Sequence, residues 1–219
     1  MTSAWYWLAS AFEAAHNNMR FMAWNSFLAL IPLFLSVWLF RRRRLKSIAW
    51  VIGLITFIAF LPNAPYVLTD IIHLVHDIRY GYSIWIIALV LVPQYLLFMF
   101  IGFQAYVISL INLGYFLRLR GLGRYLLPTE LFIHMLSAVG IYLGRFHRFN
   151  SWDILTQPEP LISSLWHTLL AQRPAAIMLI TFGVISVLYW LLKQVTLALA
   201  MYLKVSRQAK SEILMLGGD

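Results

Sequence analysis

Residues 61–77 read LPNAPYVLTDIIHLVHD, a stretch in which two prolines bracket Asn63 and a polar helical pattern follows. On a helical wheel of about 100° per residue, the polar side chains share about a third of the circumference. They are Tyr66, Thr69, Asp70, His73, His76, Asp77 and the neighbouring Tyr80. Aliphatic side chains fill the opposite side. Two carboxylates, two imidazoles, two phenols and a hydroxyl on one face predict a functional site in this stretch.

The chain as a whole is too apolar for a soluble domain. Of its 219 residues, 62% are hydrophobic and 11% are charged, whereas about 25% of the residues of a soluble domain are charged. Long apolar runs between basic clusters therefore predict an all-α fold, a polytopic membrane helix bundle that forms a single integral membrane domain over residues 1–219. The absence of cysteine excludes disulfides and thiolate metal sites.

The hydropathy pattern predicts about five transmembrane helices, at residues 21–40, 47–61, 82–116, 126–146 and 174–192. The third segment is longer than one crossing requires, and we interpret it as one tilted helix rather than as a span followed by a second short segment. Residues 1–20 begin with a group of aromatic side chains, which predicts an interfacial segment. The apolar stripe of residues 161–170 predicts an interfacial helix before the last span.

Prolines divide the second of these helices. Residues 47–61 cover roughly 22 Å at about 1.5 Å per residue, which is short of the hydrocarbon core of about 30 Å. Pro62 disfavours helix at Leu61, and Pro65 can begin a new helix with Asn63 or Ala64 near its cap. We therefore expect a Pro-broken second helix whose break lies at or just inside the membrane boundary. The polar segment would then lie beneath or along that boundary.

The basic residues predict the orientation of the bundle. The net charge of +9 is typical of the lysines and arginines that collect in cytoplasmic loops, and it does not indicate nucleic-acid binding. If residues 41–46 (RRRRLK) are cytoplasmic, five crossings place residues 118–124 and the basic tail, residues 204–219, in the cytoplasm too. The N-terminus then lies outside the cell. We expect the basic clusters to contact anionic headgroups of the lipid bilayer.

In this orientation the polar stretch shares the outer face with residues 144–153, which read GRFHRFNSWD. The two segments can meet and form one site. The candidate catalytic residues of that site are Asp70, His73, Asp77 and Asp153. The candidate substrate-binding residues are Asn63, Tyr66, Thr69, Arg145, Arg148 and Asn150.

Several chemistries suit these residue types. Asp70, His73 and Asp77 could present carboxylate and imidazole ligands to a divalent metal, although their spacing matches no specific metal motif. An Asp that orients a His would instead form an acid–base pair, and the same groups could relay protons. Arg145 and Arg148 could hold a lipid phosphate or another anion. The alternative is an interfacial helix whose polar face simply meets water, with Asn63 as a cap.

A second group of polar residues lies in the fourth span. Glu130 and His134, one turn apart, predict either a proton relay or a structural pair that links helices. Gly140 and Gly144 form a GxxxG pattern, which predicts close helix packing and no catalytic role. Polar side chains of the third span are typical of hydrogen bonds between helices, namely Gln94, Gln104 and Asn112.

Two motifs carry a family resemblance. Residues 61–74 fit the pattern LPNAPYxxTDxxHL, and residues 140–153 are similar to GIYLGRFxRxNSWD. Both resemble the motifs of a bacterial membrane family catalogued as domain of unknown function 1361, and the resemblance extends roughly from the first span to the fifth. It implies a multi-pass protein of the bacterial inner membrane and supplies no activity, substrate or cofactor.

Three functional hypotheses remain open on these observations. The first is a membrane-embedded enzyme that acts on a lipid-linked or anionic substrate, with or without a divalent metal. The second is a small transporter or proton-coupled channel that uses the broken helix together with Glu130 and His134. The third is a non-catalytic assembly factor whose outer polar face binds a partner protein.

Overall fold

The computed structural model describes residues 2–42, 47–149, 151, 153–156, 159–160, 163 and 172–216, and the regular secondary structure of this part of the chain is entirely helical. The α-helices are α1 (Thr2–Arg41), α2 (Ile48–Phe60), α3 (Asn63–Tyr66), α4 (Ile71–Arg79), α5 (Ile84–Ile86), α6 (Val92–Leu119), α7 (Leu126–Phe146), α8 (Asp153–Thr156) and α9 (Gln172–Leu216). A 3₁₀ turn at Val67–Asp70 joins α3 to α4, and another at Gly123–Tyr125 precedes α7.

Within the described part of the chain, five helical segments are long and apolar enough to cross a membrane. They are Ala4–Arg41, Ile48–Arg79, Ile84–Leu119, Gly123–Phe146 and Arg173–Ala209. The predicted all-α bundle of about five transmembrane helices is therefore confirmed. We call the end of the bundle that holds residues 41–42 and 118–124 the basic end. The opposite end, with residues 80–83 and 147–149, is the polar end.

The first span begins earlier than its hydropathy predicts. Helix α1 is 40 residues long, about 60 Å at about 1.5 Å per residue, and it packs Ala11 and Ala14 into the bundle. The segment predicted to be interfacial, residues 1–20, is from Thr2 onward part of the same continuous helix as the first span. The physical reason is that no proline or glycine precedes Pro32 to interrupt the helix.

The third span is one continuous helical segment, as we expected for residues 82–116. It begins at Ser83, whose hydroxyl oxygen accepts a hydrogen bond from the backbone N–H of Ile86. A π-helical turn at Ile87–Leu91 joins α5 to α6. Pro93 has no N–H to donate to the carbonyl of Leu89, and the wider turn accommodates the proline ring without a break.

Helix α6 lies at the centre of the bundle, where it contacts α1, α3, α7 and α9. It buries the aromatic side chains of Tyr95, Phe98, Phe103 and Tyr106. The predicted hydrogen bonds between polar side chains of this helix and neighbouring helices are confirmed, and they join it to α1 and α9. These are Gln94 Nε2 to the carbonyl of Ala15 (3.0 Å), Gln104 Nε2 to Thr196 Oγ1 (2.7 Å) and Asn112 Nδ2 to Ser36 Oγ (2.9 Å).

The second helix is broken at its prolines, but its backbone does not turn away. Leu61 and Pro62 keep right-handed helical dihedral angles, with φ of −57° and −62°. Helix α3, the 3₁₀ turn and α4 then follow in helical conformation as far as Arg79. The break is thus a distortion of one long helical segment, because the fixed φ of proline is compatible with a helix.

The path of this segment follows α1 in the antiparallel direction. Hydrogen bonds between the two join Trp50 to Leu39, Asp70 to Asn25 and Asp77 to Asn18. Residue numbers rise along one partner as they fall along the other. The expectation that the polar segment lies along the membrane boundary is therefore wrong, since residues 63–79 run lengthwise beside α1.

The last span also extends past its predicted limit. Helix α9 continues from Gln172 to Leu216, so residues 204–216 of the basic tail prolong the last span as a helix. The predicted interfacial helix at residues 161–170 lies outside the described residues except for Ser163, and the candidate substrate-binding residue Asn150 lies outside them too.

Candidate functional site

Two asparagines of α1 hold the two carboxylates of the polar stretch. Asn25 Nδ2 donates to Asp70 Oδ2 over 2.7 Å, and Asn18 Nδ2 donates to Asp77 Oδ2 over 2.6 Å. The hydroxyl of Tyr95 also donates to Asp77 Oδ2, over 3.1 Å. Sequence reasoning missed both asparagines. The sequence does contain a signal for them, because Asn18 and Asn25 are seven residues apart, as are the two aspartates. A spacing of seven residues places both members of a pair on the same face of a helix.

Arg145 is the second partner of Asp70. Its Nη1 lies 3.4 Å from Asp70 Oδ1, and its Nη2 donates to the backbone carbonyl of Thr69 over 2.8 Å. The guanidinium also donates to the hydroxyl of Tyr66 over 3.4 Å. Asp70 is only 1% exposed, and a carboxylate with so little access to water needs such compensation. The guanidinium of Arg145 is therefore engaged by Asp70, Thr69 and Tyr66 in this structure.

The two sequence motifs meet at α7. A Cβ atom on Gly140 would lie 2.8 Å from Pro62 Cβ, and one on Gly144 would lie 3.2 Å from the Tyr66 ring. Only glycine admits α3 this closely. At the polar end, Asn63 Nδ2 donates to Ser151 Oγ over 2.7 Å. The prediction that residues 61–77 and 144–153 approach each other is confirmed, and the GxxxG pattern is the surface that receives the broken helix.

A groove of about 780 Å³ lies between α1, α2, α3 and α7. The aliphatic part of its lining includes Leu28, Ile55, Ile58, Leu136, Val139 and Leu143. The polar part comprises Asn25, Asn63, Tyr66, Arg148 and Ser151. Leu136 lies about 15 Å from the end of α7 toward the basic end, at about 1.5 Å per residue, whereas Arg148 follows that end. The groove is therefore apolar along the bundle and polar at one mouth.

Arg148 supplies a positive charge at this mouth of the groove. It is exposed, and it makes no hydrogen bond or ion pair with the described part of the chain. Its φ is +59°, a left-handed conformation that is uncommon for a residue other than glycine and costs energy. Arg145 and Arg148 thus differ sharply, since the first is bound to Asp70 and the second is available at the groove.

The two histidines of the polar stretch do not line the groove. His73 Nε2 lies 3.9 Å from Asp70 Oδ1, its ring packs at a tilt against that of Phe21 with centroids 4.8 Å apart, and its side chain is 47% exposed. His76 is exposed, with Nδ1 4.0 Å from Asp77 Oδ1. Among the described residues, no three His, Asp or Glu side chains converge as metal ligands do. The structure therefore does not bring Asp70, His73 and Asp77 together around one point.

The polar stretch is not an interfacial helix with a water-facing polar side. Asp70 and Leu74 are buried and Asp77 is mostly buried against α1 and α6, while Ile71, Ile72, Val75 and Ile78 are exposed. The 3₁₀ turn at Val67–Asp70 contributes to this outcome, because its roughly three residues per turn shift the helical phase from that of a uniform wheel. The carboxylates consequently face the bundle.

Asp153 lies at the start of α8 and is buried. Its Oδ1 accepts a hydrogen bond from Thr156 Oγ1 over 3.3 Å. The carboxylate is not part of the groove lining. Among the predicted catalytic residues, Asp70 is directly bonded to a residue of the groove mouth, namely Asn25.

Glu130 and His134 have separate partners. Glu130 accepts hydrogen bonds from the Tyr189 hydroxyl and from Lys193 of α9, while His134 Nδ1 lies 2.7 Å from the Tyr106 hydroxyl. The predicted structural alternative, a pair that links helices, agrees with these bonds, since Glu130 is bonded to α9 and His134 to α6. Both link α7 to its neighbours toward the basic end, and neither lines the groove.

Residues 24–187 match a family described as proteins of unknown function, DUF1361. The matched range runs from α1 into α9 and includes every described residue of the groove. No curated protein and no solved structure is significantly similar to the chain.

Proposed function

This chain belongs to the DUF1361 family of proteins of unknown function, and we propose that it binds a lipid or lipid-linked anion in the groove between α1, α2, α3 and α7. The hydrocarbon part of the ligand would lie against Leu28, Ile55 and Leu136. Its anionic group would bind Arg148. The volume of about 780 Å³ falls in the range of about 300–1,000 Å³ that small-molecule sites occupy.

The separation of apolar and polar lining along the bundle is the observation that supports this proposal. A soluble anion would make no favourable contact with the aliphatic lining of the groove. An uncharged hydrocarbon would supply no negative charge to pair with Arg148. A molecule with a hydrocarbon chain and an anionic headgroup satisfies both. Arg148 directly follows the C-cap of α7 in the left-handed conformation common at helix ends, and its exposed guanidinium is available at the groove mouth.

The proposal includes a location and an orientation. We place the protein in the bacterial inner membrane with its N-terminus outside and its C-terminus in the cytoplasm. The basic end holds the arginines of residues 41–42 and 118–124, and positively charged segments favour the cytoplasmic side. The groove mouth then opens at the outer leaflet. A ligand would enter it sideways from the bilayer.

An enzyme that acts on such a lipid is the second candidate, supported by the proximity of His73 to the buried carboxylate of Asp70. An imidazole held beside a carboxylate can serve as a general base or acid. In this version, Asn63, Tyr66 and Arg148 bind the headgroup while His73 acts on a part that extends beyond the mouth. Metal assistance is not included because the predicted ligands do not converge.

The experiment that tests binding compares Arg148→Gln with Arg79→Gln. Both variants lose one exposed arginine near the polar end, but Arg79 does not line the groove. The purified protein is titrated with dioleoyl phosphatidylglycerol in detergent, and bound lipid is measured by native mass spectrometry. We expect Arg148→Gln to bind about tenfold more weakly, since a charge-assisted contact is lost, and Arg79→Gln to bind like the wild type.

Inorganic phosphate serves as the second probe in this titration. Failure of millimolar phosphate to displace the lipid would support an amphiphilic ligand. Displacement by phosphate at concentrations matching those of the lipid would contradict it and would indicate a site for a soluble anion. Equal lipid binding by wild type and Arg148→Gln would refute the assignment of Arg148.

A further inference from the structure

Two amide oxygens at the groove mouth have no hydrogen-bond partner in the described part of the chain. Asn63 uses its Nδ2 twice, donating to the carbonyl of Phe60 over 3.0 Å and to Ser151 Oγ over 2.7 Å. Because the Phe60 carbonyl only accepts hydrogen bonds, the amide cannot be flipped without losing this bond. The atom left over is therefore Oδ1, which is an acceptor.

Asn25 has the same arrangement on the opposite wall. Its Nδ2 donates to the carboxylate of Asp70 over 2.7 Å, and a carboxylate likewise only accepts. The remaining atom is again Oδ1. Asn25 and Asn63 both line the groove, so α1 and α3 each contribute one uncommitted acceptor near its mouth.

Donors with unused protons lie beside these acceptors. The Tyr66 hydroxyl oxygen accepts from Arg145, and the Ser151 hydroxyl oxygen accepts from Asn63, which leaves each hydroxyl proton without a described acceptor. Arg148 adds a guanidinium with five N–H donors. The mouth therefore offers a cation, two hydroxyl donors and two amide acceptors.

These hydrogen-bond donors and acceptors, together with the positive charge, determine which kind of headgroup the mouth can bind. The oxygens of a bare phosphate only accept, so they would satisfy Arg148 and the hydroxyls but not the amide oxygens. The ligand needs donors of its own beside its anion. An ammonium group would place a positive charge near Arg148, which is unfavourable. A hydroxyl is uncharged and both donates and accepts, so it suits this mouth.

We propose that the ligand headgroup carries hydroxyl groups next to its anion, as a lipid-linked polyol or sugar phosphate does. This inference rests on the proposed binding of a lipid anion in the same groove and names the chemical class of its headgroup. Asn25 and Asn63 then determine specificity for the hydroxyls, while Arg148 supplies affinity for the charge.

The test uses two lipids with the same acyl chains and the same phosphodiester charge. Dioleoyl phosphatidylglycerol carries two hydroxyls in its headgroup, and dioleoyl phosphatidylmethanol carries none. We expect the wild-type protein to bind the glycerol lipid about tenfold more tightly, since a site built to bond a hydroxyl disfavours an analogue that lacks it. A preference of less than about twofold would overturn the proposal.

Asn63→Ala removes one of the two acceptors. We expect this variant to reduce the preference to about threefold or less while its affinity for phosphatidylmethanol changes little. A full wild-type preference in a folded Asn63→Ala protein would overturn the assignment of Asn63. The wild-type comparison decides the proposal by itself if the loss of the bonds to Phe60 and Ser151 prevents folding.

These outcomes separate the headgroup inference from the proposed function. If neither lipid binds, the binding function itself fails, and if Arg148→Gln binds both lipids as the wild type does, the assignment of Arg148 fails. If both lipids bind equally and depend on Arg148, binding of a lipid anion stands and the hydroxyl inference fails.

Discussion

At the scale of single residues, two arginines three positions apart have different environments. Arg145 lies in the last turn of α7 and reaches back to Asp70, Thr69 and Tyr66. Arg148 lies beyond the helix end, has a positive φ and lines the groove. The sequence predicts both as anion ligands, because charge and position along the chain are similar. Only the bonding partners in the folded structure distinguish them, because Arg145 is bonded to Asp70 whereas Arg148 is available to bind a ligand.

The pairing of Arg145 with Asp70 predicts how replacing these residues changes the free energy of unfolding. Arg145→Gln leaves the Asp70 carboxylate buried with Asn25 as its main partner, and we expect a loss of about 2–4 kcal/mol in the free energy of unfolding, as for other broken buried pairs. The double variant Asp70→Asn with Arg145→Gln should recover part of this loss because no unpaired charge remains. Thermal unfolding in detergent measures both.

Arg79→Gln is the control for this pair of variants, because Arg79 is exposed and its replacement should change stability little. A wild-type unfolding temperature for Arg145→Gln would show that the ion pair contributes nothing. A double variant less stable than either single variant would show that the two residues do not act through each other.

At the scale of elements, the site depends on the contact between α7 and the broken second helix. Gly140 and Gly144 lie one turn apart and receive Pro62 and Tyr66, which are four residues apart in the other motif. This matched spacing sets the register between the elements. Asn63, between the two contacts, is thereby placed at the groove mouth.

A methyl group at this contact should separate the elements. The Cβ of Gly140→Ala would lie 2.8 Å from Pro62 Cβ and 2.9 Å from its Cγ, and the proline ring cannot rotate away. We expect a destabilisation of about 1–3 kcal/mol from overpacking, measured as a lower unfolding temperature in detergent, and weaker lipid binding.

Gly183→Ala in α9 is the matched control, because no atom lies within 4 Å of its added Cβ. Replacing a helical glycine in open space with alanine should be neutral or stabilising by up to about 1 kcal/mol. Equal unfolding temperatures for Gly140→Ala and Gly183→Ala would refute the close-packing role of Gly140.

At the scale of the whole molecule, the bundle has two chemically different ends. The basic end carries the arginines of residues 41–42 and 118–124, while the polar end carries the groove mouth and the exposed His73 and His76. Helix α9, about 68 Å long at about 1.5 Å per residue, exceeds the hydrocarbon core of about 30 Å and prolongs the basic end. This asymmetry supports the proposed orientation.

The cysteine-free sequence makes that orientation directly measurable. Single cysteines replace Tyr80 at the polar end or Leu122 at the basic end, both of which are exposed. In intact cells a membrane-impermeant maleimide should label Tyr80→Cys and should label Leu122→Cys only after the membrane is permeabilised. The reverse pattern would place the groove mouth on the cytoplasmic side.

The sequence by itself determined the membrane class and the number of spans, because hydropathy and helix length are properties of local sequence, and the order of the spans predicted that the two motifs can meet. Only the tertiary structure decided which side chains pair. It assigned Asn18 and Asn25 to the aspartates, separated Arg145 from Arg148 and joined Glu130 to α9. The reason is that such pairing depends on the register between helices and on the phase shift at the 3₁₀ turn, and a helical wheel of one segment contains neither.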